Sequence, residues 1–272
     1  MYTKNILLMM SMMMSLSFFN AQEKWIMKSE FLAKPDTVLV FKPKVYNEKE
    51  QYPLVYLFHG YSENYRQWSQ TTDLQKLSDQ YKMIIVCPDG FVTWYINSPY
   101  DKGSRAEDFF FKELVPKVHT RFSIDKNNIF ISGLSMGGYG AIRYFLLHQD
   151  YFNTAGSTSG AFSLDFDTLT EASLSFFKTT RIIDDLSKSL GSSKEWNRYT
   201  ISYLLKKYNK GRPFLIDCGT EDILFPATLA IKNQADSLKI PVTFISQPGN
   251  HNTEYWKRSI EHHFIFFRDH LK

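Results

Sequence analysis

A serine flanked by glycines has the setting in this chain that most clearly suggests covalent chemistry. Ser135 lies in the sequence Gly-Leu-Ser-Met-Gly, residues 133–137, which fits the pattern Gly-x-Ser-x-Gly. An apolar run at 129–132 precedes it, and a stretch of small residues typical of a helix start follows it. This order indicates a nucleophile elbow, a tight strand-to-helix turn that exposes a serine hydroxyl. We therefore predict that Ser135 is an activated nucleophile, at a helix N-terminus whose dipole favours developing negative charge.

A serine hydroxyl becomes a good nucleophile only when a base removes its proton and an acid orients that base. In chains with a nucleophile elbow, the acid and then the base follow the serine, each in a loop after a later strand. Asp222 lies in the loop beyond the apolar run 214–218 and is the predicted acid, with Glu221 as the alternative. Asp217 lies inside the run itself. The competing interpretation is that Asp222 only caps the next helix.

Seven histidines compete for the role of base. His251 lies in the sequence 248–252, directly after the last predicted strand and before the C-terminal helix. That is the loop position that the mechanism requires, so we predict His251 as the general base. Five others fall on helical segments and are predicted to be surface or packing residues: His119, His148, His262, His263 and His270.

Acyl transfer also needs N–H donors at the position where negative charge develops on the substrate oxygen. Met136, immediately after the nucleophile, would supply one donor through its backbone amide. The second should come from the loop after the apolar run 54–58, where Gly60 permits a tight turn and the backbone N–H of Tyr61 is the predicted donor. His59, at the start of that loop, is predicted to brace the loop and not to act as a base.

Short apolar runs alternate with amphipathic stretches after the N-terminal segment. This alternation predicts an α/β fold with a mostly parallel central sheet and helices on both faces. An earlier strand around 25–32 could form an antiparallel edge. The predicted strands are Val38–Lys42, Leu54–Phe58, Met83–Cys87, Ile129–Ser132, Asn153–Ser157, Phe214–Cys218 and Val242–Ser246. The predicted helices are Asp73–Tyr81, Arg105–Arg121, Met136–Gln149, Ala227–Leu238 and Thr253–His270.

The stretch 161–212 contains no clear strand. Its segments 164–167 and 200–208 predict a short helical excursion over the carboxyl edge of the sheet, where open α/β sheets hold their binding crevice. We expect this stretch to be a lid or a pocket wall and not a second domain. Pro116, inside the helix predicted at 105–121, is expected to kink that helix.

The composition fits one globular domain with a sizeable core, since the 272 residues are 43% hydrophobic and 22% charged. The formal net charge is +4 and the basic residues are scattered, so no nucleic-acid partner is expected. The two cysteines, Cys87 and Cys218, fall in separate predicted strands, and we predict two buried free thiols.

The first residues have the anatomy of a signal peptide. Lys4 precedes an apolar run at 6–19 that is rich in Met and Leu, and small and polar residues follow. We predict cleavage after Ala21, which leaves a single mature domain of residues 22–272. The apolar run is shorter than the roughly 20 residues that a membrane-spanning helix needs. Export to the periplasm or the extracellular space is therefore expected, with no stable membrane insertion after cleavage.

Several motifs together resemble one known group of proteins, the esterase D and tributyrin-esterase-like α/β hydrolases, which include feruloyl and acetyl-xylan esterases of carbohydrate esterase family 1. The similarity covers nearly the whole mature chain. It includes the nucleophile motif 133–141, the acid loop 218–222 and the base loop 249–251. The sequence 52–60 resembles the strand that leads into the family's oxyanion loop. Other segments that resemble the family are 86–90, 94–99 and 189–191.

This resemblance implies the α/β-hydrolase fold with a short lid segment. It implies a triad of Ser135, Asp222 and His251, which agrees with the chemical interpretation. It also implies ester hydrolysis through an acyl-enzyme, with no metal or organic cofactor. The aromatic pocket segment of the family corresponds here to three candidate substrate contacts, Trp94, Tyr95 and Asn97.

The leading hypothesis is a secreted serine carboxylesterase that acts on small-molecule or polysaccharide-linked esters with short acyl groups. An acyltransferase and a thioesterase similar to S-formylglutathione hydrolase are alternatives with the same fold, although relatives of the second kind are usually cytosolic and export is predicted here. A serine peptidase shares the chemistry, but no larger cap or propeller domain is predicted that would select peptides. A non-catalytic carbohydrate- or lipid-binding relative is an alternative of another class, and the intact triad argues against it.

Overall fold

The computed structural model describes residues 21–272 of the protein. The predicted signal peptide, residues 1–21, lies outside the described residues except for Ala21. Within residues 21–272, no helix is both long enough and apolar enough to cross a membrane.

One eight-stranded sheet forms the centre of the fold. Its strands are β1 (Gln22–Met27), β2 (Asp36–Phe41), β3 (Tyr52–Phe58), β4 (Ile84–Cys87), β5 (Ile124–Gly133), β6 (Thr154–Thr158), β7 (Phe214–Gly219) and β8 (Val242–Gln247). Their spatial order is β1-β2-β4-β3-β5-β6-β7-β8. The strands from β3 to β8 run parallel, whereas β2 pairs antiparallel with both β1 and β4. The predicted mostly parallel sheet is therefore confirmed. Its antiparallel edge strand, β1, covers Gln22–Met27, whereas the prediction placed this strand around 25–32.

The helices flank this sheet and connect its strands. In the described part of the chain they are α1 (Gln67–Thr71), α2 (Leu74–Tyr81), α3 (Ala106–Phe109), α4 (Val115–Arg121), α5 (Met136–Leu147), α6 (Phe166–Phe177), α7 (Arg181–Leu190), α8 (Ile201–Tyr208), α9 (Phe225–Ser237) and α10 (Thr253–Asp269). Each predicted helix is present, and the helix predicted at 105–121 is divided between α3 and α4.

Alternate residues of the inner strands face different layers of helices. Val38 and Val40 of β2 belong to the core that α4, α5 and α9 cover. Leu39 and Phe41 belong to the opposite core, beneath α2 and α10. Since side chains alternate between the two faces of a strand, a sheet covered on both faces needs apolar residues at successive positions. This explains the continuous apolar runs from which the strands were predicted.

The division between α3 and α4 is a π-helical turn, Phe110–Leu114. Pro116 lies in the first turn of α4. A proline has no N–H to donate to the preceding turn, and its ring crowds the carbonyl four residues earlier. The irregularity expected from Pro116 is therefore present, in the form of a wider turn just before the proline.

The stretch 161–212 holds more regular structure than the short excursion that was predicted. It contains α6, α7, a 3-10 helix (Ser193–Tyr199) and α8. Helices α6 and α7 line a cavity beside Ser135, whereas α8 packs against α5 at the side of the sheet. Only the first half of the stretch therefore forms the wall that was expected.

The two cysteines are buried and unpaired, as predicted. Cys87 ends β4 and Cys218 lies in β7. Strands β3, β5 and β6 lie between them in the sheet, so the two thiols are too far apart for a disulfide.

A buried hydrogen-bonded array joins strands β5, β6 and β7 to helix α10. His263 Nε2 lies 2.5 Å from Asp217 Oδ2, and His263 Nδ1 lies 2.7 Å from Ser132 Oγ. The Asp217 carboxylate also accepts hydrogen bonds from the hydroxyls of Thr158 (2.7 Å) and Ser259 (2.6 Å). All of these side chains are fully buried. The array therefore fixes α10 against the sheet by polar contacts inside an apolar core.

This array was not predicted. His263 was interpreted as a surface or packing residue, and Asp217 was noted only as a carboxylate inside a strand. A buried carboxylate must be hydrogen-bonded or paired, so Asp217 in an apolar run was the signal that a buried partner exists. The sequence alone does not indicate which side chain that partner is.

Replacement of His263 with Ala is expected to lower the free energy of unfolding by about 3 kcal/mol, because Asp217 would lose its imidazole partner while it stays buried. Denaturant unfolding of the purified protein measures this effect. His262→Ala is the matched control, since His262 is half-buried and its side chain makes no hydrogen bond within residues 21–272. Equal unfolding free energies for the two variants would contradict a structural role for the array.

Candidate active site

Ser135 forms the turn between β5 and α5. Its φ is 53°, in the left-handed region that residues with a side chain rarely adopt. Such a conformation costs on the order of 1–3 kcal/mol and persists only where the surrounding structure imposes it. The Ser135 N–H donates to the carbonyl of Thr158 (3.0 Å), which ties the turn to β6. This is the backbone geometry that the nucleophile-elbow pattern predicts.

The glycines on either side of Ser135 are required by close backbone contacts. A Cβ atom on Gly133 would lie 2.3 Å from the carbonyl group of Gly137. A Cβ atom on Gly137 would lie 2.4 Å from the carbonyl oxygen of Phe58. Both distances are far below van der Waals contact, so the strand and the helix can approach this closely only with glycine at both positions.

The structure brings together the three residues that were predicted to act as a triad. His251 Nε2 lies 3.1 Å from Ser135 Oγ. On the other side of the ring, His251 Nδ1 lies 2.9 Å from Asp222 Oδ2 and 3.1 Å from Asp222 Oδ1. The side chain of Asp222 is fully buried, and that of His251 is 9% exposed.

The environment of Asp222 keeps its carboxylate ionised. Burial alone would raise its pKa, but hydrogen bonds and the neighbouring imidazole outweigh this effect and lower the pKa below its ordinary value. The donors are His251 and the backbone N–H of Leu224, which lies 2.8 Å from Asp222 Oδ1. An ionised Asp222 accepts the Nδ1 proton of His251, so Nε2 is free to accept the proton of Ser135.

Glu221, the alternative acid, has a different role. Its carboxylate accepts hydrogen bonds from the backbone N–H of Gly249 and from the Thr220 hydroxyl (2.8 Å). Glu221 therefore holds the backbone of the loop that carries His251. The imidazole itself is hydrogen-bonded to Asp222.

Two aromatic side chains hold the imidazole of His251. The ring of Phe176, from α6, is stacked on it at a centroid distance of 4.8 Å. Trp256, in the first turn of α10, meets it edge-on at 5.1 Å and donates its indole N–H to Ser159 (3.2 Å). Trp256 follows the family-like base loop 249–251 by five residues. Phe176 was not predicted, because no local pattern indicates which side of a lid helix faces the site.

The two predicted oxyanion donors are available. Neither the backbone N–H of Tyr61 nor that of Met136 has a hydrogen-bond acceptor among the described residues. Unpaired buried amides are uncommon, and here they lie in the loop after β3 and in the first turn of α5, next to Ser135. Two free N–H groups beside Ser135 are consistent with donors to an oxyanion, and this role of Tyr61 and Met136 stays a prediction.

His59 fixes the peptide unit that carries the Tyr61 N–H. Its Nδ1 lies 2.8 Å from the carbonyl oxygen of Gly60, and its Nε2 accepts from the backbone N–H of Gly90 (2.7 Å). The tautomer that satisfies both contacts carries the proton on Nδ1. Because a peptide unit is planar, holding the Gly60 carbonyl also orients the N–H of Tyr61. This is the bracing role predicted for His59.

A cavity of about 230 Å³ lies beside Ser135 and His251. Its walls are predominantly apolar, and helices α6 and α7 contribute five of the ten apolar residues below. The apolar lining consists of Trp94, Leu134, Ala161, Leu169, Ala172, Phe176, Phe177, Ile182, Leu224 and Trp256.

Of the three predicted substrate contacts, only Trp94 lines this cavity. The ring of Tyr95 is stacked on Phe58 at 4.0 Å inside the core, and its hydroxyl donates to the carbonyl of His59 (3.1 Å). Asn97 accepts the N–H of Asp108 (3.0 Å) at the start of α3. Trp94 and Tyr95 have successive φ values of 55° and 54°, a sharp turn that sends their side chains in different directions. The pocket assignments of Tyr95 and Asn97 are therefore wrong.

Comparison with known proteins gives a consistent result. A sequence profile of the protein family described as "Putative esterase" matches residues 29–267. The acetyl esterase of Caldicellulosiruptor saccharolyticus is 26% identical over 254 residues, which cover 87% of this chain and 94% of that protein.

Solved structures share the fold over nearly the whole chain. A ferulic acid esterase has a TM-score of 0.75 at 22% sequence identity, covering 92% of this chain and 98% of its own. The S-formylglutathione hydrolase of Staphylococcus aureus has a TM-score of 0.74 at 24% identity, covering 91% and 97%. These similarities confirm the predicted α/β-hydrolase fold.

Asp222→Asn is expected to slow the reaction of Ser135 with a fluorophosphonate probe by about 10³–10⁴-fold, since an amide would favour the wrong tautomer of His251. The rate of covalent labelling of the intact protein measures this change. Glu221→Gln is the matched control and should retain most of the labelling rate. A larger loss in the Glu221 variant would identify Glu221 as the acid.

Proposed function

The chain belongs to the esterase family whose profile matches residues 29–267, and from this premise we propose that it is a serine carboxylesterase that works through an acyl-enzyme. One observation carries the proposal. The Ser135 hydroxyl is hydrogen-bonded to His251, which is hydrogen-bonded to the buried Asp222, at the wall of an apolar cavity. A nucleophile, a base and an acid in this order are the arrangement needed for acyl transfer.

In the first half of the proposed reaction, Ser135 Oγ attacks the acyl carbon of the ester while His251 Nε2 takes the hydroxyl proton. The negative charge that forms on the carbonyl oxygen accepts hydrogen bonds from the N–H groups of Tyr61 and Met136. The tetrahedral intermediate then collapses, and the alcohol leaves with the proton from His251. The acyl group remains bound to Ser135 as an ester.

In the second half, water attacks the acyl-enzyme and gives a proton to His251. The second tetrahedral intermediate releases the carboxylic acid, and the proton returns to Ser135. Asp222 stays ionised throughout, orients the imidazole and stabilises its cationic form. Its lowered pKa suits this role, because a protonated carboxyl could not accept the Nδ1 proton.

The cavity supports a preference for short acyl groups. Its volume of about 230 Å³ lies below the roughly 300–1,000 Å³ of sites that hold drug-sized ligands. Phe176, Leu169 and Ile182 line it with apolar surface, which favours an aliphatic or aromatic acyl chain over a charged one. Acetyl and other small acyl groups, including those linked to carbohydrates, fit these dimensions.

A glutathione thioester is the second candidate substrate, since proteins named S-formylglutathione hydrolase share the fold. Glutathione carries two carboxylates, which are normally bound by cationic side chains. Among the described residues that line the cavity there is no Lys or Arg, and the exposed Glu63 adds a negative charge at the rim. These charges favour a neutral ester over the glutathione thioester.

We also propose that the protein is exported, on the basis of the signal-peptide pattern in residues 1–21. Cleavage after Ala21 would leave Gln22, the first residue of β1, at the new N-terminus. All residues of β1 would then be retained, and one backbone hydrogen bond, from Lys42 N–H to the Ala21 carbonyl (2.9 Å), would be lost. An exported esterase meets esters outside the cytoplasm, such as acylated polysaccharides.

Ser135→Ala is expected to abolish turnover of p-nitrophenyl acetate and butyrate while the unfolding transition stays unchanged, because the hydroxyl contributes the nucleophile and little packing. A panel of nitrophenyl esters of increasing acyl length, with feruloyl and acetylated-sugar esters, should show kcat/KM falling once the chain exceeds the cavity. The Ser135→Ala protein serves as the blank. Turnover by Ser135→Ala equal to that of the unmodified protein would contradict the assignment of Ser135, whereas the small residual rate that the oxyanion donors and binding alone can support would not.

Expression of the full chain in a bacterium, followed by fractionation and N-terminal sequencing, tests export. The expected result is a protein outside the cytoplasm that begins at Gln22. Replacement of apolar residues in the run 6–19 with Lys should retain the protein in the cytoplasm at its full length. Export of that variant would show that residues 1–21 are not the signal.

A further inference from the structure

The side chain of Tyr61 connects the loop after β3 to the lid helix α7. Its hydroxyl donates to a carboxylate oxygen of Asp185 and lies 3.2 Å from the backbone carbonyl of Arg181. Burial, followed by the neighbouring Asp185, raises the pKa of Tyr61, so the phenol keeps its proton and remains a donor. The residue that carries a candidate oxyanion amide is thus attached to the lid by its own side chain.

A cationic and aromatic cluster surrounds this contact. The guanidinium of Arg181 lies over the ring of Tyr61 at 5.4 Å and over that of Phe177 at 5.0 Å. The rings of Tyr61 and Phe177 meet edge-on at 5.5 Å. These contacts leave only 8% of Tyr61 exposed. The phenol is therefore held in one orientation between α6, α7 and the oxyanion loop.

Helix α7 is attached at its other end as well. The hydroxyl of Ser98, in the loop that carries Trp94, donates to the carbonyl of Ser189 near the end of α7 (2.6 Å). Ile182, which follows Arg181 in α7, lines the cavity. The helix thus spans the cavity wall and contacts the Tyr61 loop on one side and the Trp94 loop on the other.

We propose that Asp185 is a positioning residue that acts through Tyr61 to orient the oxyanion N–H. The proposal rests on the proposed function, because it requires the Tyr61 amide to hold the oxyanion. The peptide unit between Gly60 and Tyr61 is held at two points. His59 is hydrogen-bonded to its carbonyl oxygen, and Asp185 is hydrogen-bonded to the side chain of Tyr61, the residue that carries its N–H. Since the unit is planar, these two anchors together limit its rotation.

This arrangement couples the lid to the chemical step. Without Asp185, the phenol can rotate away from α7 and the peptide unit gains freedom about its remaining anchor. A donor that is displaced from the oxyanion position stabilises the transition state less, while the bound ester in the cavity keeps its apolar contacts. The structure therefore predicts a loss in kcat with little change in KM.

The test compares kcat and KM for p-nitrophenyl butyrate among variants of the full chain. Asp185→Ala should lower kcat by about ten- to a hundredfold, less than the 10²–10³ that loss of a whole donor costs. Asp184→Ala is the matched control, because Asp184 is the preceding residue on α7 and is exposed, and within residues 21–272 its side chain accepts one hydrogen bond, from the Thr180 hydroxyl (3.1 Å). Asp185→Asn keeps an acceptor for the phenol and should restore most of kcat.

A double-variant cycle separates positioning from a general loss of structure. Tyr61→Phe keeps the ring and removes the hydroxyl, so it should reproduce the kcat of Asp185→Ala, and the double variant should show no further loss. Additive losses, a change confined to KM, or equal kcat for the Asp184 and Asp185 variants would overturn the inference. Absence of ester turnover by the unmodified protein would instead refute the proposed function itself.

Discussion

The backbone turn at Ser135 is the constraint on which the remainder of the site depends. A φ of 53° at Ser135 places its hydroxyl at the first turn of α5, directly before Met136. The turn exists only because α5 can approach β5 and the β3 loop without side chains at Gly133 and Gly137. The fold thus maintains an unfavourable backbone conformation through close packing, and that conformation presents the hydroxyl of the proposed nucleophile to the cavity.

The other two members of the proposed triad reach Ser135 from loops whose positions the sheet determines. β7 and β8 pair in register from Phe214 with Val242 to Gly219 with Gln247, so the loops that follow them carry Asp222 and His251 side by side. The array of Asp217, His263 and Ser132 holds α10, which follows the base loop, against β5 and β7. The buried array and the proposed triad therefore depend on the same elements. Asp217 lies within β7 and Asp222 in the loop after it, while His263 lies within α10 and His251 in the loop before it.

Much of this arrangement was predictable, because the relevant physics is local. The strands follow from apolar runs, and Asp222 and His251 follow from their order and from loops after strands. Residues that meet through the tertiary fold were missed. Phe176 reaches His251 only when α6 crosses the sheet edge, and His263 meets Asp217 from the far end of the chain. Tyr95 was misassigned because its ring stacks on Phe58 inside the core, and only its neighbour Trp94 lines the cavity.

The central claim is that Ser135 carries the acyl group during turnover. Acid quenching of the protein during hydrolysis of p-nitrophenyl butyrate, followed by peptide mapping with mass spectrometry, tests this claim directly. The account predicts a butyryl group on the peptide that contains Ser135, and its absence from the same peptide of Ser135→Ala. Turnover with a butyryl group on another residue, or with no acylated peptide under conditions where deacylation is slow, would contradict it.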